Sequence, residues 1–322
     1  MSDILLSIVI PAYNSGCFLN QTLGELVIQG LQNCEIIVVN DGSTDNTEAV
    51  CMEFSNKYSA IRYISQSNRG VSVARNVGIK VAKGKFIYFF DSDDLLIDNT
   101  LDFFRKMLEY KSNDSPSIFM FGYELRRMNY AVKLRSSNIL HKKELSSGLI
   151  KKNFFSKKIP WLICSCIFLK DFVLQNNLTF PEGIKIGEDI VFMVQAITVA
   201  HSLYYDKRIC FIYQIRDDSV MQGYKGYSMD RIKSFEVVRD TIINNSEYYL
   251  SARREANFFI ANLYLANLVA YLKSNIKDYE INNIFIQNKF FLYKSMKGRF
   301  INRMAILVAR CVPLRLLLKI FK

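Results

Sequence analysis

Histidine is almost missing from this chain, with His141 and His201 the only two among 322 residues. The seven cysteines, at positions 17, 34, 51, 164, 166, 210 and 311, are odd in number and form no C-x-x-C pair. These shortages exclude a His/Cys zinc module and a disulfide framework, and they fit a reducing cytosol. No G-x-G-x-x-G and no G-x-x-x-x-G-K occurs, so the glycine loops that seat a nicotinamide dinucleotide or a nucleoside triphosphate are lacking. The first apolar run, Leu5 to Ile10, has no basic segment before it and no small-residue cleavage site after it, so no secretory signal is expected. Near the other end the longest apolar stretch, Met304 to Phe321, is interrupted by Arg310, Arg315 and Lys319 and falls short of a membrane span. Internal repeats and low-complexity linkers are absent from the sequence.

What is present describes a globular chain: 50% of residues are hydrophobic and 22% charged, outside the disordered and collagen-like ranges. The length suits two domains, or one large domain with an appendage. The net charge of +12 is uneven. Residues 251–322 hold thirteen Lys and Arg against Glu255, Asp278 and Glu280, which places +10 of the total in this last part. The tail therefore suits a polyanionic partner, whereas the preceding part is close to neutral.

Short β-branched runs alternate with helical periodicity through the first hundred residues. Strands are expected over 7–10, 35–39, 61–64 and 86–90, and helices over 18–30, 45–58 and 71–83. Ile36-Ile37-Val38-Val39 and Phe86-Ile87-Tyr88-Phe89-Phe90 are continuous apolar runs, the pattern of parallel strands covered on both faces. The fold class is accordingly α/β, doubly wound around a mainly parallel sheet. Beyond it, a helix is expected over 100–111, a strand over 118–123, loop and short helix over 124–152, helices over 161–175 and 188–200, a strand over 209–215, and helices over 230–244 and 252–272.

Sheets of this kind bind ligands beyond the carboxyl ends of their strands, so the residues that end the strands carry the chemistry. They are Pro11-Ala12-Tyr13-Asn14, Asn40-Asp41-Gly42-Ser43-Thr44-Asp45 and Asp91-Ser92-Asp93-Asp94. Asp-Gly is a turn pair, and Asp45 suits a helix cap. Three carboxylates within four residues repel one another unless they are solvated or share a cation. A divalent ion such as Mn²⁺ or Mg²⁺ resolves that repulsion, and a solvated helix-capping loop is the alternative. Gly187-Glu188-Asp189 opens an apolar helix. Acidic residues there complement the helix dipole, and they also offer a general base in a chain with two histidines.

These motifs, together with Asn68-Arg69-Gly70 and Ala74-Arg75-Asn76-Val77-Gly78, resemble the inverting family 2 glycosyltransferases of the GT-A fold. The resemblance is close over residues 5–100, looser over 155–225 and absent from the tail. It implies a Rossmann-like GT-A domain over 1–225, with a nucleotide-sugar half to residue 110 and an acceptor half beyond it. A helical basic region over 226–322 follows. It further implies a nucleotide-sugar donor, most often a UDP-sugar, with Pro11, Ala12 and Tyr13 lining the base pocket and Asp41 on the uracil edge. Arg75 would neighbour the nucleotide, while Asp91, Ser92, Asp93 and Asp94 would hold ribose and the metal. Asp189 matches the catalytic base, with Glu188 beside it. Asn40 stands where the family often has a second aspartate. Arg216, in Tyr213-Gln214-Ile215-Arg216-Asp217-Asp218-Ser219, belongs to a segment that resembles a loop closing over the diphosphate. Trp161, the only tryptophan, suits either a sugar-stacking platform or a core aromatic.

The implied activity is transfer to a saccharide acceptor, lipid-linked, in surface-polysaccharide assembly such as capsule or O-antigen. The implied location is cytoplasmic, peripheral at the inner face of the plasma membrane. A haloacid-dehalogenase-like phosphatase also carries Asp-x-Asp, but on its first strand and followed by Gly-Thr, which is missing here. A non-enzymatic binder led by the basic tail is the other alternative. Nucleic acid is a poor partner for it, because no aromatic-interleaved basic strand or recognised motif occurs. From Lys289 onward nine Lys or Arg and no acid are interleaved with apolar residues, which suits an anionic lipid surface or packing on the catalytic domain.

Overall fold

The computed structural model describes residues 4–111, 116–127, 132–137, 143–215, 227–244, 251–274, 276 and 278–293. The chain forms two compact units. The first comprises Met1–Ser147, Pro160–Gly183 and Val199–Arg216, and the second Gly148–Ile159, Ile184–Thr198 and Asp217–Lys322.

In the first unit the expected alternation is realised as β1 (Leu6–Ala12), α1 (Gly16–Ile28), β2 (Cys34–Asp41), α2 (Thr47–Lys57), β3 (Ile61–Gln66), α3 (Val71–Val81) and β4 (Phe86–Phe89). β1, β2 and β4 are buried along their whole length, as continuous apolar runs require. β3, β2, β1 and β4 lie side by side in parallel, so the chain segments leaving β1, β2 and β4 share one sheet edge. Close packing of α3 on β1 depends on Gly78, where an added Cβ would sit 2.2 Å from Val9 Cγ1. At the opposite edge Glu35 is buried and accepts from Ser7 Oγ at 2.7 Å, Lys83 N at 2.6 Å and Arg62 Nη1 at 3.0 Å. Burial acts to raise its pKa, but these donors outweigh it and hold the carboxyl below its ordinary range.

Beyond β4 the sheet becomes mixed. The order continues through β9 (Cys166–Leu169), β6 (Ile118–Arg127) and β10 (Ser202–Ile215) to β5 (Leu95–Leu96). β7 (Lys133–Arg135) and β8 (Lys143–Ser146) pair with β6 and β10. The helix α4 (Thr100–Tyr110) packs Phe104 against Tyr88 and Phe121.

Two expectations change here. The segment 161–175 is not one helix: a 3₁₀ turn (Ile163–Ser165) leads into β9 and then α6 (Lys170–Gln175). β9 lies between β4 and β6, antiparallel to both, and there the hydrogen-bonding demand of a sheet interior overrides a period that four apolar residues cannot define. Among the described residues of 124–152 the chain likewise forms the end of β6, the strands β7 and β8, and α5 (Ser147–Phe155). β7 is exposed throughout, so no apolar alternation marks it in the sequence, and its basic residues suit an edge strand.

The second unit is helical, with α5, α7 (Glu188–Val199), α8 (Met229–Asn244), α9 (Arg253–Lys273) and α10 (Tyr279–Asn288), at the positions expected for α7, α8 and α9. Its core is aromatic. Tyr227, Tyr264 and Tyr271 gather round Phe285, and Phe154 and Phe155 pack on Phe259. α10 is capped by Asp278, whose carboxylate accepts from Glu280 N and Ile281 N.

Candidate active site

The acidic loop leaves β4 at the edge shared with the tips of β1 and β2. Asp94 N donates to Asp91 O at 3.2 Å and closes a turn. From α1, Thr22 Oγ1 lies 3.0 Å from Ser92 O and 3.2 Å from Asp94 O, and Ser92 Oγ donates to Ser15 Oγ at 2.9 Å. The three carboxylates occupy different environments. Asp94 is fully buried, and its Oδ1 accepts from Gln214 N at 3.2 Å. Asp91 is partly exposed and pairs at 2.8 Å with Arg75, whose side chain is 4% exposed. The Arg75 guanidinium also lies 5.1 Å from the centre of the Phe180 ring. Asp93 is partly exposed, and its carbonyl accepts from Gln214 Nε2 at 2.9 Å.

A ligand oxygen each from Asp91 and Asp94, together with the Cys164 sulfur, lie within 4.8 Å of one another. Burial pushes the Cys164 thiol well up, and the neighbouring Asp91 and Asp94 push it further. Of these three groups the two carboxylates are the hard oxygen donors. Such a set fits a hard divalent ion that takes carboxylates and phosphate oxygens. Tyr213, at the end of β10, has its phenol pushed up by burial and then by Asp94, Asp91 and Asp93.

The neighbouring tips are tied to one another. Pro11 and Ala12 are buried at the end of β1, whereas Tyr13 is 51% exposed. Asn14 N donates to Ser43 Oγ at 3.0 Å, and Asn14 Oδ1 accepts from Thr44 N at 2.8 Å. Asp41 is buried at the end of β2 and accepts from Gln66 Nε2 at 2.6 Å, Arg69 N at 2.8 Å and Gly70 N at 2.7 Å. These use three of its roughly four acceptor positions. Gly42 (φ +71°) permits this approach, since an added Cβ would meet Asn68 N at 2.6 Å. Asp45 stands one residue before Asn46, the N-cap of α2, and accepts from Thr47 N at 2.9 Å and Gly16 N at 3.1 Å.

Pro11, Ala12, Tyr13, Asp41, Arg75 and Asp91 to Asp94 are thus all in the first unit, at one sheet edge. Trp161 also lies in that unit and is half-buried. Glu188 and Asp189 belong to the second unit, where they open α7, both half-buried. Asp189 Oδ1 accepts from Ile190 N at 2.8 Å. Gly187 (φ +80°) turns the chain into that helix. Arg216 lies outside the described residues. The sequence reading missed Gln66, Cys164 and the role of Thr22, none of which belongs to a local motif that signals it, and the role of Gln214, which lies in the 213–219 segment that resembles a loop over the diphosphate.

A parallel α/β half-sheet whose first, second and fourth strands end at one edge, with an acid-rich loop after the fourth, is the arrangement of the GT-A fold. The chain belongs to glycosyl transferase family 2, whose family model matches residues 7–178. This membership replaces the phosphatase and non-enzymatic alternatives. Among curated relatives, the uncharacterized glycosyltransferase EpsJ of Bacillus subtilis is 27% identical over 83% of this chain and 77% of its own length. The minor teichoic acid biosynthesis protein GgaB of the same organism is 32% identical over 68% of this chain. The chain spans only 24% of GgaB. Among solved structures, S. aureus TarS 1-349 in complex with UDP-GlcNAc is similar with a TM-score of 0.68 at 20% identity, covering 90% of this chain and 81% of that one. The mannosyltransferase PcManGT of Pyrobaculum calidifontis, in complex with GDP-Man and Mn²⁺, has a TM-score of 0.56 at 14% identity over 98% of this chain and 83% of its own.

Proposed function

We propose that this glycosyltransferase is inverting and moves a hexosyl or N-acetylhexosaminyl group from a UDP-sugar to a hydroxyl of a lipid-linked saccharide during cell-surface polysaccharide assembly. The observation that carries the reading is the carboxylate loop held beside buried Arg75 at the tips of β1, β2 and β4. The catalytic domain is read as 1–225, followed by the basic helical region 226–322.

In this reading Pro11, Ala12 and Tyr13 line the base pocket, and Asp41 uses its fourth acceptor position on the uracil edge. Asp91, Asp93 and Asp94, with Ser92 between them, hold ribose and a Mn²⁺ or Mg²⁺ ion. When bound, the ion offsets negative charge developing on the leaving diphosphate. Arg75 adds positive charge beside the nucleotide, and Arg216 adds it from the segment after β10. Asp189 accepts the proton of the attacking hydroxyl, Glu188 assists acceptor binding, and Trp161 offers a ring to a sugar face. One attack from the face opposite the nucleotide inverts the anomeric centre. A thermal-shift screen of nucleotide-sugars with Mn²⁺ should single out a UDP-sugar by a raised midpoint. NMR of the product formed from that donor should show the opposite anomeric configuration. Retained configuration would refute inversion.

A lipid-linked acceptor would place the enzyme at the inner face of the plasma membrane. Support comes from the nine Lys or Arg without an acid from Lys289 onward, each basic residue near an anionic surface contributing about 1 kcal/mol. No helix among the described residues is long and apolar enough to cross a membrane. In flotation with anionic liposomes at low salt, the full chain should rise with the vesicles, and a chain ending at Arg299 should do so markedly less. Equal flotation of the two would remove the tail as the anchor.

A further inference from the structure

Gln214 lies outside every residue role assigned above, yet it touches the acidic loop twice. Its main-chain N–H donates to Asp94 Oδ1 at 3.2 Å, and its carboxamide Nε2 donates to the Asp93 carbonyl at 2.9 Å. We infer that Gln214 is a positioning residue for donor binding, its carboxamide fixing the Asp93–Asp94 peptide so that the Asp93 carboxylate is held ready for the donor diphosphate and its divalent ion. This inference rests on the metal-assisted donor binding proposed above.

A loop with three carboxylates in four residues pushes itself apart, so something must hold its backbone before a cation arrives. Three consecutive carbonyls are held by side chains. Thr22 of α1 shares its one hydroxyl proton between those of Ser92 and Asp94, and Gln214 takes the one between them. The carboxyl end of β10 is a firm support for this. Phe211 and Ile212 pair with Leu96 and Leu95 of β5, while Tyr213 and Gln214 pair with Leu125 and Arg126 of β6. With the Asp93 carbonyl fixed, the backbone that carries its carboxylate is fixed too. Less ordering is then left to the binding step.

The two contacts can be separated, because the bond to Asp94 comes from the main chain and survives any side-chain change except proline. Gln214→Ala removes the carboxamide, and Gln214→Met removes the donor while keeping side-chain length and bulk. The test uses the full chain and calorimetric titration of UDP at a series of Mn²⁺ concentrations, with metal-free thermal midpoints measured in parallel. Both variants should need about tenfold more Mn²⁺ for half-maximal UDP binding, the effect of one lost hydrogen bond. Excess Mn²⁺ should restore UDP affinity, and the metal-free midpoint should fall by no more than about 4 °C.

An unchanged Mn²⁺ requirement in both variants would overturn the inference, as would a Met variant that matches the unmodified protein, since bulk alone would then suffice. A fall in midpoint beyond about 10 °C with UDP binding that excess Mn²⁺ does not restore would make Gln214 a folding residue and equally overturn it. If the unmodified protein binds UDP equally with and without Mn²⁺, the metal is what fails. Gln214 is then judged on UDP affinity alone, and unchanged affinity in both variants would overturn its role.

Discussion

Replacing Asp93 by alanine is expected to lower Mn²⁺-dependent UDP affinity by about 10²-fold or more while leaving the protein folded. The local geometry separates these two effects. The backbone of residue 93 is held through its carbonyl by Gln214, a contact that alanine keeps. The Asp93 side chain is partly exposed, unlike that of Asp94, which is fully buried. Removing one of three clustered carboxylates also relieves repulsion in the metal-free state, so its thermal midpoint should stay level or rise slightly, the behaviour of a site that gives up stability for function. Calorimetry with and without Mn²⁺ and a thermal melt decide the matter together. Equal UDP affinity in the two conditions for the unmodified protein would remove the metal from the reading.

Asp189→Asn is expected to reduce transfer by roughly 10²–10⁴-fold with donor affinity nearly unchanged, because the amide keeps the size of the side chain but cannot take a proton. The start of α7 should survive. Asp189 Oδ1 accepts from Ile190 N, and the asparagine carbonyl oxygen can accept the same bond. What is lost structurally is the favourable charge in the first helical turn, about 0.3–1 kcal/mol. Single-turnover rates and UDP calorimetry on the same preparation separate chemistry from binding. Full turnover by the variant would move the search for the base to Glu188.

The parallel half of the sheet was legible in the sequence because each of its central strands is buried on both faces and each connection is a helix. Burial on both faces writes a continuous apolar run, and the helices between write a different period. The acidic loop, the Asp41 turn and the Gly187-Glu188-Asp189 helix start were legible for a related reason: each is contiguous in sequence and punctuates an element. The charge asymmetry needed only counting, although the residues from 294 onward lie outside the described structure. Asp45 was expected to cap α2, but the N-cap is Asn46, and Asp45, one residue earlier, accepts from the first helical N–H, that of Thr47.

Contacts between distant segments were not legible. β9 has four residues, too few for a period, and it is a strand because β4 and β6 flank it. The edge strand β7 gave no apolar alternation because it is exposed throughout, and in β8 the single buried Leu145 is too little to define a period. Asp41 was expected to hydrogen-bond the uracil edge, and only the structure shows that Gln66, Arg69 and Gly70 already fill most of its acceptor positions. The three loop carboxylates read as equivalent in sequence, and the fold makes them unequal by setting Arg75 beside Asp91 and Gln214 against Asp93 and Asp94. The sequence by itself determined the α/β class, the family and the place of the acidic loop at a strand end, because local periodicity and contiguous motifs encode them. Only the tertiary structure decided which carboxylate is buried and which pairs with Arg75, because desolvation and ion pairing depend on neighbours brought together from up to 121 residues away.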